Sequence, residues 1–210
     1  MLTQDRLDYY IAKERVANQG ITEPWVQGHG FYHERIAEAL ADCFAHFPGD
    51  AVEIGCLHGA CSSLLAPVCD QFGRNLLCID PWDARLWEGH DWGNPFSDFS
   101  KAMHPWVKKG IVHVVRATSQ SFDALSAMRA VKQRGGIAFV FVDGSHDYPD
   151  VLFDLNTTME LVNGLITVDD WFSADVQRAT MDALKTHLAW QMALNRFPDL
   201  AEVYLVKGER

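Results

Sequence analysis

AVEIGCLHGACSSLL, residues 51–65, decides the fold. Ala51 to Ile54 read as a short apolar strand. Gly55 and Gly59 punctuate a tight loop, and Cys61 to Cys69 continue at once as a helix. Strand, glycine loop and helix in direct succession are how an open α/β sheet builds a small-molecule site. The glycines let backbone approach a ligand, and the helix N-terminus offers free N–H groups. Glu53 sits at the strand end, facing the expected crevice. The spacing is E-x-G-x-x-x-G, not the dinucleotide fingerprint G-x-G-x-x-G. Taken alone, the stretch reads equally as a ligand loop or as a plain strand-to-helix turn.

Outward from this unit the rhythm continues. NLLCID (75–80) is a buried-looking strand that finishes in Asp80. Its distance from Glu53 is about that at which doubly wound folds set an acid on ribose hydroxyls; a helix-capping carboxylate is the plainer alternative. IVHVVRATS (111–119) makes a third strand, running to Ser119 and Gln120. SFDALSAMRAVKQRG is an amphipathic helix stopped by Gly135–Gly136. GIAFVFVDG has the unbroken apolar run of a parallel strand buried on both faces. DVLFDLNTTMELVNG is the next helix, LITVDDW a fifth strand ending in Asp169–Asp170, and DVQRATMDALKTHL another helix. WQMALNRFPDLAEVYLVKG closes the chain as two strands joined at Pro198–Asp199.

Repeated β-α-β-α alternation predicts an α/β fold with a doubly wound, mostly parallel Rossmann-like sheet and a C-terminal antiparallel hairpin at its edge. Residues 1–48 form an N-terminal helical segment capping the 50–210 core, all in one domain. Within that segment GITEPWVQGHGFY is a turn-rich break whose Trp25, Phe31 and Tyr32 either cap a pocket or simply pack. Residues 81–110 interrupt the rhythm with Trp82, Trp87, Trp92 and Trp106. They read either as a substrate-covering insertion or as a loosely helical crossover whose tryptophans pack on the sheet.

The bulk numbers narrow the function classes. The 210 residues suffice for one full core, and 48% hydrophobic with 22% charged residues is an ordinary globular balance. No apolar run reaches the roughly 18 residues of a membrane span, and the charged start MLTQDRLDYY lacks a signal-peptide core. A cytoplasmic protein is expected, away from membranes. With 18 Lys+Arg against 28 Asp+Glu, the net charge of −10 argues against nucleic acid as a partner. It suits a cationic ligand or a metal. The five cysteines are odd in number and form no C-x-x-C; they read as reduced thiols rather than a zinc site. The aromatic N-terminal segment is the candidate contact for a homodimer.

Parallel strands all end on one edge, and that edge holds the site. Glu53, Asp80, Asp143, Asp169 and Asp170 fall at strand ends, so five carboxylates gather around one crevice. Uncompensated, they repel one another, and a metal or a positively charged cofactor would relieve them. Asp143, Asp169 and Asp170, on neighbouring strands, are the metal candidates; all-oxygen ligation suits a hard divalent ion such as Mg²⁺. A turn Asp before Gly144 and a helix N-cap pair are the structural alternatives. His146, three residues past Asp143, stands at the same mouth as a candidate general base or ligand, or as a turn histidine bonded to backbone.

Together, EIGCLHG with CID, FVDGSHDYPDVLFDL and GLITVDDW resemble the class I S-adenosylmethionine-dependent methyltransferases. More narrowly, they are similar to the macrocin O-methyltransferase-like and cephalosporin-hydroxylase-like group, over about residues 50–172 and the tail hairpin. The resemblance implies that Glu53, Gly55, Cys56 and Gly59 cradle the methionine part of S-adenosylmethionine. It places Asp80 on the ribose and Ser119–Gln120 near the adenine. Asp143, Asp169 and Asp170 match the Mg²⁺ positions of sugar O-methyltransferases in this group, with Asp143 and His146 as the catalytic candidates. The chain departs from the pattern at Cys61, where members often carry Ser, and at Ser145–His146, where the sugar enzymes carry an acidic base. The implied activity is methylation of a small-molecule hydroxyl. Another S-adenosylmethionine-dependent transfer or cyclisation, a nicotinamide-dependent oxidoreduction and a non-catalytic adenosyl-binding role are the alternatives.

Overall fold

The computed structural model describes residues 30–83, 93–192 and 203–207. In chain order they form α1 (Gly30–His46), β1 (Asp50–Ile54), α2 (Ala60–Phe72), β2 (Leu76–Ile79), α3 (Pro95–Lys108), β3 (Val112–Val115) and α4 (Phe122–Gly135). Then come β4 (Ile137–Val142), α5 (Tyr148–Leu161), β5 (Val162–Val168), α6 (Ala174–Thr186), β6 (Trp190–Met192) and β7 (Val203–Lys207). The strands make one seven-stranded sheet in the order β3-β2-β1-β4-β5-β7-β6. The first five in that order run parallel. β7 lies antiparallel to β5, and β6 antiparallel to β7. The predicted hairpin therefore joins the sheet through its second strand, and its first strand forms the edge. The turn expected at Pro198–Asp199 lies outside the described residues.

Side-chain alternation assigns each face. Ala51, Phe139 and Phe141 point to one side, where Ile36, Leu40, Leu64, Leu65 and Phe99 from α1, α2 and α3 cover them. Val52, Ile54, Val140 and Ile166 point to the other, under Met128, Leu155 and Ala179 from α4, α5 and α6. Every β4 residue is buried, as a central parallel strand requires.

Within 81–110, the described part is a crossover helix. Pro95 sits at the first turn of α3, and Asn94 caps it by accepting the Ser97 N–H. Trp82 is buried against Phe96 and Phe99, and Trp106 packs on the same cluster. The covering loop around Trp87 and Trp92 lies outside the described residues, as do the 1–29 segment and Trp25.

The ladder runs one residue past each central strand. Asp80 N–H donates to Val115 O, Gly55 N–H to Ile79 O, Asp143 N–H to Ile54 O and Asp169 N–H to Val142 O. Four residues thus stand in a row along the carboxyl edge. Gly55 has φ +86°, and a β-carbon there would lie 1.8 Å from Asp143 O. The position admits glycine alone. Gly55→Ala is expected to lower unfolding free energy by at least about 3 kcal/mol; urea denaturation reads this directly, and a native-like midpoint would refute the close approach.

Candidate active site

The loop after β1 is held by a carboxylate. Asp80, 3% exposed, accepts the N–H groups of Cys56 and Leu57 on Oδ2, at 2.8 and 2.9 Å. Its Oδ1 accepts the Trp82 N–H at 2.6 Å. Leu57 and Trp82 both adopt left-handed backbone, with φ 46° and 44°, a conformation that side chains disfavour. The three hydrogen bonds, with the Trp82 indole N–H donated to Leu57 O at 2.7 Å, offset that strain. Asp80 stands at the edge, as the sequence predicts, but most of its acceptor capacity goes to its own loop. His58, in the same loop, is tied through Nδ1 to Asp98 on α3 at 3.1 Å.

Beyond the loop, α2 opens at Gly59 (φ 86°) with no side-chain cap. The first-turn N–H groups therefore keep the helix's partial positive charge at the crevice end. Gly55, Cys56 and Gly59 are where the sequence places them. Glu53 is not: it does not face the crevice. Strand alternation turns it under α2, fully buried, where Ser62 Oγ donates to Oε2 at 2.5 Å. Its Oε1 has no hydrogen-bond partner, and burial pushes its pKa up to about 7. Cys56 and Cys78 lie close enough to Glu53 to share an ion with it. Burial raises both thiols as well, which keeps them protonated and not ligating.

β3 ends at Val115, short of the expected Ser119, and Ser119 and Gln120 lie in the turn that leads from it into α4, also at the carboxyl edge. Their side chains engage α5. Gln120 Nε2 donates to Asp150 Oδ1 at 2.5 Å, and Ser119 bonds Asp154. Sequence reasoning missed Asp154, a buried acid on α5. The signal was legible: Val151, Asp154, Leu155 and Thr158 form the buried stripe of that helix, and one member of the stripe is charged.

Asp143, His146, Asp169 and Asp170 line one shallow pocket between the β4 and β5 ends. Asp170 adopts φ 52°, which separates its side chain from that of Asp169. Asp169 Oδ1 folds back to accept the Asp170 N–H at 2.7 Å. The atoms that converge are therefore those of Asp143, His146 and Asp170, mutually within 4.8 Å, and not the expected three aspartates. Two carboxylates and an imidazole form a mixed donor set. Such a set would suit borderline ions such as Mn²⁺, Fe²⁺ or Co²⁺ as well as Mg²⁺. His146 Nε2 lies 2.6 Å from Asp170 Oδ2. That hydrogen bond raises the His146 pKa above 6.5; partial burial opposes it, and the charges of Asp170 and Asp147 add to it.

A family model described as a methyltransferase domain matches residues 52–171, more than half of the chain. The chain belongs to this methyltransferase-domain family. It is a class I S-adenosylmethionine-dependent methyltransferase, as the strand order and the glycine loop suggest. No curated protein matches its sequence. Among solved structures, the methyltransferase shares its fold with CalS11, a TDP-rhamnose 3'-O-methyltransferase of calicheamicin biosynthesis. That pair has a TM-score of 0.68 at 14% identity, covering 98% of this chain and 93% of that one. PaMTH1 from Podospora anserina, solved with S-adenosylhomocysteine, gives 0.64 at 11% identity over 99% and 89%. TomG from Streptomyces achromogenes, solved with S-adenosylmethionine, gives 0.56 at 12% identity over 100% of both chains.

Two expectations follow from the site's charges. A raised His146 pKa means that the His146–Asp170 ion pair adds stability below pH 6.5 and loses it as pH rises through the raised value. Proton-detected NMR titration is expected to place the ring above 6.5, and Asp170→Asn to bring it back down; an unchanged value in that variant would remove Asp170 as the cause. Glu53 also titrates upward, so its contribution is full below pH 4.5 and falls away as pH rises through about 7. The spread corresponds to about 3 kcal/mol. Between pH 4.5 and 7 the melting temperature of Glu53→Gln is expected to fall less with rising pH than that of the native chain; parallel curves would contradict this assignment.

Proposed function

We propose that this methyltransferase acts on the oxygen of a small-molecule hydroxyl, with a divalent cation held between the β4 and β5 ends. The observation that carries this reading is the convergence of Asp143, His146 and Asp170 on one point, on the same sheet edge as the glycine loop. CalS11 and TomG, which share the fold, are O-methyltransferases.

The residues present fit both groups. The uncapped N-terminus of α2 suits the cofactor's carboxylate, the backbone of Gly55, Cys56 and Gly59 its methionine chain, and the remaining acceptor capacity of Asp80 its ribose. The acid cluster supplies the negative charge that a sulfonium and a metal ion both need. S-adenosylmethionine brings an activated methyl group, and a divalent cation lowers the pKa of a hydroxyl bound to it. Asp143 and Asp170 are the assigned cation ligands, with Asp169 beside them in the same pocket. His146 is the assigned base. With Nε2–H donated to Asp170, its Nδ1 carries the lone pair that takes the hydroxyl proton. Asp170 thereby orients the imidazole and stabilises its charged form. A vicinal pair of oxygens on the acceptor suits this arrangement, because one cation can chelate both.

The test is calorimetric titration with S-adenosylmethionine in Mg²⁺ or Mn²⁺ and then in EDTA, followed by methyl-transfer assays on diol and catechol acceptors. Micromolar cofactor binding is expected in both conditions, with transfer only in the metal. His146→Ala is expected to lower kcat by about 10²–10⁴-fold while leaving cofactor affinity unchanged. Full transfer in EDTA by Asp143→Ala and Asp170→Ala variants would remove the metal from the reading. Absence of cofactor binding would remove the cofactor.

A further inference from the structure

Helix α5 carries two acids, Asp150 and Asp154, one turn apart on the same face. Asp150 accepts the Gln120 Nε2–H, and Asp154 is paired with Ser119; both partners belong to the turn between β3 and α4. The Asp154 carboxyl also lies against the loop that closes β4, with Oδ2 only 3.8 Å from where a β-carbon on Gly144 would stand. That loop carries Asp143 and His146. Asp154 therefore lies between the two halves of the edge, the side assigned to the adenosyl group and the side assigned to the hydroxyl chemistry.

We propose that Asp154 is a positioning residue, which from beneath the crevice sets the spacing between the β3 turn and the β4 loop. The proposal rests on the methyltransferase reading of this edge. Packing alone does not account for the residue. Asp154 is 3% exposed, among Val151, Leu155 and Thr158, and its Oδ1 has no hydrogen-bond partner. Leucine would fill an apolar stripe without that desolvation cost. Burial, reinforced by the charge of Asp150 and opposed by the Ser119 hydrogen bond, raises its pKa to about 7. The group thus works close to its neutral form, and an amide of the same shape is a fair substitute.

The experiment titrates the full chain with S-adenosylhomocysteine and records thermal melts for the native protein, Asp154→Asn and Asp154→Leu. Native binding is expected, with Asp154→Asn within about threefold of it. Asp154→Leu is expected to melt cooperatively and to bind at least about tenfold more weakly, the loss that follows when a buried hydrogen bond between the two elements goes. Native-like affinity in Asp154→Leu would overturn the proposal and leave a packing residue. Equal losses in the Asn and Leu variants would overturn it too. If Asp154→Leu does not fold, Ser119→Ala removes the same hydrogen bond from the turn: a like loss supports the proposal, and native affinity overturns it. A native chain that binds no S-adenosylhomocysteine fails the cofactor reading itself, and the proposal falls with it.

Discussion

The site hangs on a single row of backbone hydrogen bonds at the end of the parallel ladder. Asp80, Gly55, Asp143 and Asp169 each donate an N–H to the strand next door. The bonds fix four strand ends at sheet spacing before any side chain takes part. Three of the four carry carboxylates. The fourth, between Asp80 and Asp143, has no side chain and no room for one. Backbone geometry therefore determines both where charge gathers and where a ligand can approach the main chain.

The acids of this region serve three physical ends. Asp80 spends its oxygens on the N–H groups of a strained loop and so shapes the floor of the crevice. Glu53 and Asp154 lie under that floor, each with one oxygen lacking a hydrogen-bond partner, and burial lifts both toward neutral pKa. Asp143 and Asp170 remain partly exposed, where their charge can act on something bound. Depth separates these roles: the same functional group clamps a loop at the floor, titrates near neutrality beneath it and keeps its charge open to solvent at its rim.

Much of this was legible from pattern. The alternation of apolar runs and helices gave the five parallel strands, and parallel strands place their ends together, so Asp80, Asp143, Asp169 and Asp170 were legible as edge residues. What pattern could not deliver was side-chain direction. Glu53 shares the edge in sequence, but period-two alternation turns it under α2. Asp169 and Asp170 are neighbours, yet the left-handed backbone at Asp170 separates them and brings His146 into the cluster instead. Asp154 was overlooked because a helix interior is not where strand-end reasoning looks. The order of the last two strands was missed because a hairpin read from sequence does not say which of its arms meets the sheet.

β1 pairs on one side with β2, its neighbour in sequence, and on the other with β4, so the site depends on a contact between segments far apart in the chain. β1 finds β4 only after two intervening strands and three helices have been synthesised and placed. Contacts so distant in sequence are characteristic of slow-folding topologies. A nascent chain released after β3 would hold the glycine loop and Asp80 without Asp143 or His146. Such a fragment would own half of the crevice and none of the Asp143–His146–Asp170 cluster. The crevice is thus a property of the completed sheet.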